Sequence, residues 1–376
     1  MSNTMAEVAQ KSAVRVLSLD DCHRRSGATM TEREGWALPE NYGDAGAEYN
    51  TVRNGGAGVI DLSARGRILV RGSEAVTFLN GLITNDVKTL TKNSWMPAAF
   101  PTVQGRLLAS VRVINRGDDF LIDTESATHE IALKLLDRFT LAGDFRIADV
   151  TESMVMISLQ GKAAEQVLQA TLDTPTLEVE RQQIVTATFA NTEVTMIRAT
   201  YTAEDGFDLF VAAEAAEDLW TRLVENGAIP IGFAAFEILR IEAGIPLYGL
   251  DMDETNVVTE TNLDDAVSFT KGCYVGQEII ARIKYRGHVA KKLTGLIVEQ
   301  QTVLETGAGI FSNDDKEIGR VTSSAFSPHL GRTIALGYVK YDYLAPSTSV
   351  KVAAGESRVS ANVTELPLVR GSWYGE

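Results

Sequence analysis

From Gly55 onward, apolar and polar positions fall into short runs that alternate between strand spacing and helix spacing. Gly58-Val59-Ile60-Asp61-Leu62-Ser63 and Gly66-Arg67-Ile68-Leu69-Val70-Arg71-Gly72 read as strands, the second bounded by glycines. Ser73 can cap a helix with Ala75, Phe78, Leu79 and Leu82 at helical spacing, which leaves Asn85 and Asp86 on the loop that follows. The runs Leu107 to Ile114 and Phe120 to Ile122 flank Asn115-Arg116-Gly117-Asp118-Asp119, the composition of a hairpin turn. A helix follows with Ile131, Leu135, Leu136 and Phe139 on one face, and His129 at its start reads as a surface residue.

The same rhythm then repeats. Met154 to Leu159 reads as a strand, Lys162 to Leu172 as a helix, Val194 to Ala199 and Phe207 to Ala212 as strands, Glu214 to Glu225 and Gly232 to Ala243 as helices. Alternation of this kind suits two sheet-plus-helix modules packed together, an α+β arrangement. After Lys291 the texture changes to short strands and turns, including Leu293 to Val298, Ile318 to Val321 and Ile334 to Val339, the rhythm of a small β-barrel. Residues 1–45 are polar and aperiodic and read as an extension outside the core, with His23, Arg24 and Arg25 facing solvent. The expected division is therefore 1–45, 46–290 and 291–376.

Composition narrows the functional classes. The chain of 376 residues is 45% hydrophobic and 23% charged, enough for two or three packed domains. A net charge of −15 argues against duplex nucleic acid as the main partner. The one dense basic run, Arg282 to Lys292, is the exception; it could hold an acidic tail, RNA or an acidic protein, or simply be a solvated face. Two cysteines, Cys22 and Cys273, give no disulfide framework. No stretch reads as a signal peptide or membrane span, and Glu7, Asp20 and Asp21 are wrong for a transit peptide, so a cytoplasmic location is expected. No metal site is expected from one thiol and scattered histidines.

The most informative stretch is Lys271-Gly272-Cys273-Tyr274-Val275-Gly276-Gln277-Glu278, which gathers an amine, a thiol, an amide and a carboxylate around two glycines. Glycines permit a tight loop, and Lys271 could favour the thiolate of Cys273, although a lone cysteine is more often a buried structural residue. This octapeptide resembles the signature of YgfZ-type folate-binding proteins, relatives of the glycine-cleavage T-protein (aminomethyltransferase) that support iron–sulfur enzymes. The resemblance covers about residues 40 to 376. It implies a T-protein-like fold that binds tetrahydrofolate, with Cys273 as functional thiol beside Lys271, Gln277 and Glu278. It also implies iron–sulfur client or assembly proteins as partners, with a link to tRNA modification.

Two further segments resemble the family's folate site. Tyr201-Thr202-Ala203-Glu204-Asp205-Gly206 would offer Glu204 and Tyr201, a carboxylate being suited to the paired N–H groups of a reduced pterin. Taken alone, Glu204-Asp205-Gly206 is an ordinary acidic turn. Leu239-Arg240-Ile241-Glu242-Ala243-Gly244 with Tyr248 would add a guanidinium and a flat wall, against the plainer reading of an Arg240–Glu237 pair. Asn85 and Asp86 are loop candidates for ligand contact, or else turn and cap residues. One departure weighs against transfer chemistry. The aminomethyltransferases carry an acid in Gly-Gly-x-x-Asp-Asp, and the matching Gln104-Gly105-Arg106-Leu107-Leu108-Ala109-Ser110 has none. A general acid or base contributes about 10²–10⁴-fold, so its loss argues against that transfer. The reading that the resemblance then implies is a tetrahydrofolate-binding accessory protein, leaning away from an enzyme. An aminomethyltransferase or other one-carbon enzyme, with Asp86 as substitute base, and a passive folate sensor or scaffold are the alternatives.

Overall fold

A computed structural model describes residues 14–173 and 179–375. Two sheets, each covered by helices, pack together and are followed by a closed barrel. The first sheet has five strands in the order Ser94–Pro101, Leu107–Asn115, Phe120–Thr124, Gly66–Arg71 and Arg146–Asp149. Helices Ala75–Leu82 and His129–Asp137 cover one face of it, burying Ile68, Leu79, Val111, Ile122 and Leu136 in a common core. The second sheet has six strands, with Met154–Gln160 between Gly58–Asp61 and Gly206–Ala212. Helices Ala164–Thr171 and Ala213–Glu225 close its core around Leu159, Leu209 and Trp220. A third cluster, including Ile114, Leu121, Met156 and Phe210, joins the two sheets face to face. The barrel runs from Lys291 to Thr364 in six antiparallel strands around Leu296, Ile310, Val339 and Val350.

These elements follow from the alternation in the sequence. In Leu107–Asn115 the residues Leu107, Ala109, Val111 and Val113 are buried and alternate with less buried ones because one face meets helices, and the turn at 116–119 returns the chain to Phe120–Thr124 with Val111 opposite Thr124. Each large side chain so buried contributes ~1.5–3 kcal/mol. Three local readings are corrected. Ser73 does not cap the following helix; its N–H and hydroxyl both bond Asp144, at 2.8 Å each. His129 is buried rather than on the surface, with Nε2 2.9 Å from Asp149. Residues 14–45 are not an arm. Leu17, Leu19, Cys22 and Trp36 are buried, and Trp36–Asn41 pairs with both Arg15–Val16 and Thr29–Arg33.

His23, expected in solvent, lies wholly inside. Its Nε2 is 2.9 Å from Asp61, its Nδ1 2.8 Å from the Tyr42 hydroxyl, and its ring meets Trp220 edge-on. The segment has too few apolar residues to set a period, so each one is used singly. Among the described residues, no helix is long and apolar enough to cross a membrane, and no three metal-binding side chains cluster.

Candidate functional site

The junction of the two sheets, helix Phe233–Ala243 and the Thr29–Asn41 hairpin forms a cavity of about 430 Å³. Trp36, Leu38, Ile60, Tyr201, Phe233 and Phe236 form apolar walls, and Arg33, Asp61, Arg65 and Glu125 supply the charge. Each charged residue sits where a strand has just ended. Asp61 closes Gly58–Asp61, Arg65 follows in the turn, and Glu125 comes directly after Phe120–Thr124. Alternation decides which way they face. Arg112 and Asp123 meet on the side of the first sheet away from its helices, and Ser110 and Glu125 continue that side by parity.

An ionic lattice underlies this face. Arg65 donates to both oxygens of Asp123, at 3.0 and 2.7 Å, while Arg112 bonds Asp123 at 2.7 Å and Asp208 at 2.5 Å. Burial by itself would raise the Asp123 carboxyl, yet the charges of Arg112 and Arg65 outweigh it and hold it at about 2. Glu125 has the opposite balance. Burial pushes it up to about 7, and the Arg65 charge with the Tyr248 N–H only partly offsets this, while Glu34 and Asp123 add to it. Glu34, also on the cavity wall, is raised by burial too.

Of the folate-site residues expected from sequence, Tyr201 alone lines the cavity. Its ring is 5.9 Å from Phe236 and its hydroxyl donates to Asp208. Glu204 is committed elsewhere: Arg53 donates to one oxygen at 2.6 Å, and the Ser372 N–H and hydroxyl donate to the other at 2.8 Å each. Arg240, fully buried, spends its donors on Glu237, Asp251, Ser323 and the Ile245 carbonyl, tying its helix to the barrel. Glu204, Arg240 and Tyr248, expected to share a pocket, do not line this cavity. Tyr248 does reach the cavity chemistry through its backbone, whose N–H bonds Glu125 at 2.7 Å. Asn85 donates to the Pro97 and Asp265 carbonyls, tying its loop to neighbouring segments, and Asp86 caps the turn at Lys88.

The 271–278 loop docks on the first sheet, not on the cavity. Lys271 Nζ donates to the carbonyls of Asn80, Ile83 and Asn85 at 2.6 to 2.9 Å, closing the end of helix Ala75–Leu82. Burial lowers this amine to about 8, with the Asp86 charge opposing. With its three donors committed to carbonyls, it does not pair with the thiol. Gly276 has φ +78 and its absent Cβ would meet the Thr102 carbonyl at 2.4 Å, whereas Gly272 has open space and ordinary φ, so one of the two glycines is conformationally required. Cys273 is free and exposed, and Glu278 is exposed on the first turn of Gln277–Arg286. Gln277 bonds the Lys271 carbonyl at 3.4 Å. Tyr274 shares an apolar cluster with Tyr248, linking loop and cavity wall through packing. In the basic run, Lys284 lies over Phe269, Lys291 over Tyr338, His288 stacks on Tyr341 and Lys292 pairs with Asp264.

Glu125 escaped the sequence reading because an acid after a strand resembles a turn residue. The available signal was parity with Asp123, a charged residue in the middle of an apolar strand. Trp36 and Arg33 were missed with the rest of the N-terminal segment. The Trp36 Nε1 and Arg33 Nε donors are buried without a partner among the described residues.

Comparison with known proteins gives a consistent answer. Residues 19–271 match the GCVT N-terminal domain and residues 291–370 the glycine cleavage T-protein C-terminal barrel domain. The chain is 34% identical to an aminomethyltransferase of Rubrobacter xylanophilus over 96% of its length and 95% of that protein. It is 32% identical to one of Streptomyces avermitilis, over 95% and 98% respectively. The crystal structure of the glycine cleavage system aminomethyltransferase T from Bartonella henselae superposes with a TM-score of 0.88 at 24% identity, covering 95% of this chain and 99% of that one. The named relatives are transferases, so the expectation of a non-enzymatic protein finds no support in them.

Proposed function

The chain belongs to the glycine-cleavage T-protein family, whose members bind tetrahydrofolate, and on that premise we propose that it is a tetrahydrofolate-dependent one-carbon transferase of the aminomethyltransferase class. The cavity carries the reading. Its apolar walls suit a flat ring system, and its polar groups are few and convergent, the usual composition of a small-molecule site. Trp36 Nε1 and Arg33 Nε, buried donors on lining residues, support an occupant rich in acceptors. Trp36, Phe233 and Phe236 would flank the rings, and Glu125 and Arg65 would meet their polar edge. When bound, tetrahydrofolate supplies the nucleophilic nitrogen that accepts the one-carbon unit. Purified protein given tetrahydrofolate and an aminomethyl or formaldehyde donor should convert it to the methylene form. Binding without any conversion would count against a transferase.

A second reading is favoured by one observation, the free and exposed Cys273 outside the cavity. In it the chain is a YgfZ-type accessory protein that binds folate and supports iron–sulfur enzymes, some of them tRNA-modifying. The thiol would work at a surface shared with a client, and the adjoining basic run at 282–292 would meet an acidic protein or RNA. Both readings suit the cytoplasm. Cys273→Ser should lower client iron–sulfur enzyme activity in cells under this reading, and unchanged activity would eliminate it.

A further inference from the structure

The segment matching the family's acidic stretch has Ala109 and Ser110 where a carboxylate is expected, and Ala109 is sealed in the helix-side core. One strand over, the chain carries a carboxylate in the corresponding layer. Val111 pairs with Thr124, so the register continued by one residue sets Ser110 opposite Glu125; the Thr124 hydroxyl bonds the Ser110 carbonyl at 3.3 Å. Glu125 lines the cavity. Resting on the folate reading above, we propose that Glu125 is the proton-handling group of this cavity and takes the place of the acid missing from residues 104–110.

The surroundings fit that role. The Tyr248 N–H occupies Oε2, and the described residues make no other hydrogen bond to the carboxyl, leaving Oε1 to carry the proton. Arg65 is drawn away by its hydrogen bonds to both oxygens of Asp123, so it biases Glu125 electrostatically without locking it as a carboxylate. Glu34 on the hairpin faces it with like charge, and with Asp123 it raises the cost of ionising Glu125. Asp61 is already bonded to His23 and to the Ser63 N–H, and Tyr201 donates to Asp208, so neither competes for the task. In the proton transfer, the Oε1–H bond breaks as the proton passes to the departing amine nitrogen of the one-carbon donor. The carboxylate left behind is held by the Tyr248 N–H and the Arg65 charge until water returns a proton. Burial that holds this carboxyl near neutrality gives a group able to act in both directions at cellular pH.

The test uses the full chain and Glu125→Gln, which keeps shape and hydrogen bonding but cannot titrate. Tetrahydrofolate binding is measured calorimetrically from pH 5.5 to 8.5 in buffers of differing ionisation enthalpy, alongside turnover. The wild type should show a binding-linked proton with a midpoint near neutrality. Glu125→Gln should still bind, lose that linkage, and turn over at least about 10²-fold more slowly. A variant that binds with the same proton linkage and the same turnover overturns the role of Glu125 while leaving the folate reading intact. A wild type that does not bind tetrahydrofolate overturns the folate reading and this role with it. A thermal melt of the variant at pH 6 no lower than that of the wild type excludes misfolding as the cause of lost turnover.

Discussion

The backbone N–H of Tyr248 donates to the Glu125 carboxyl over 2.7 Å, joining the loop after helix Phe233–Ala243 to the end of a strand 123 residues earlier. The contact fixes a half-buried acid at the cavity wall and leaves one of its oxygens uncommitted. The arrangement has consequences for stability as well as for chemistry.

Burial raises Glu125 from the ordinary 4.5 to about 7. A carboxyl whose folded value lies above its unfolded one contributes stability that is complete below about pH 4.5 and is lost as the pH rises through about 7. Glu125→Gln does not titrate, so its stability relative to wild type should improve by on the order of 3 kcal/mol between pH 4 and pH 8. Urea unfolding at the two pH values measures this; a stability difference that stays constant would refute the buried-acid assignment.

Asp251 holds together the contact between helix Phe233–Ala243 and the barrel, accepting from Arg240 at 2.7 Å and from the hydroxyls of Thr322 and Ser323 at 2.6 Å each. Asp251→Ala leaves the wholly buried Arg240 guanidinium without its main counter-charge, and should cost about 3–5 kcal/mol in chemical denaturation. A loss under 1 kcal/mol would mean that Glu237 alone neutralises Arg240.

Glu204 pins the C-terminal tail through Ser372. In Glu204→Ala the amides of residues 371–375 should exchange with solvent markedly faster, with a loss of about 1.5–3 kcal/mol for the charged hydrogen bonds removed. Should tail exchange stay the same while tetrahydrofolate affinity falls, Glu204 is a ligand contact as its family motif implies.

The two thiols differ in access, Cys22 being buried and Cys273 exposed. Burial also raises the Cys22 thiol, which disfavours its reactive thiolate. A disulfide reagent should therefore titrate one thiol quickly in the native protein and both only after unfolding. Cys273→Ser should abolish the fast phase with a stability change within about 0.5 kcal/mol. Two fast thiols would show that the packing around Cys22 is looser than described.

Strand and helix periods carried the α+β architecture and the barrel, because alternation at 107–113 is dictated by which face meets a helix, while the unbroken apolar run at 154–157 belongs to a strand buried on both faces. The site was harder to read. Its walls come from Trp36, Arg65, Glu125, Tyr201 and Phe236, brought together by tertiary packing that no local pattern encodes. The motifs marked Glu204 and Arg240 as charged residues in a special setting, and each is indeed buried, but partners distant in sequence decide what such a charge does. Ser372 answers Glu204, and Asp251 with Ser323 answers Arg240. The N-terminal segment misled for a related reason: its apolar side chains follow no period, yet Leu17, Leu19, Cys22 and Trp36 are all buried.

The central claim is that the cavity bounded by Trp36, Tyr201, Phe236 and Glu125 is where tetrahydrofolate binds. Its most direct test is a calorimetric titration with tetrahydrofolate of the wild type and of Ala64→Trp, which fills the cavity from a lining position with room at its surface. The expected result is saturable binding by the wild type and at least a tenfold loss of affinity in a variant that melts normally, about 1.4 kcal/mol or more. Equal affinity in the two proteins would contradict the account and move the folate to another part of the molecule.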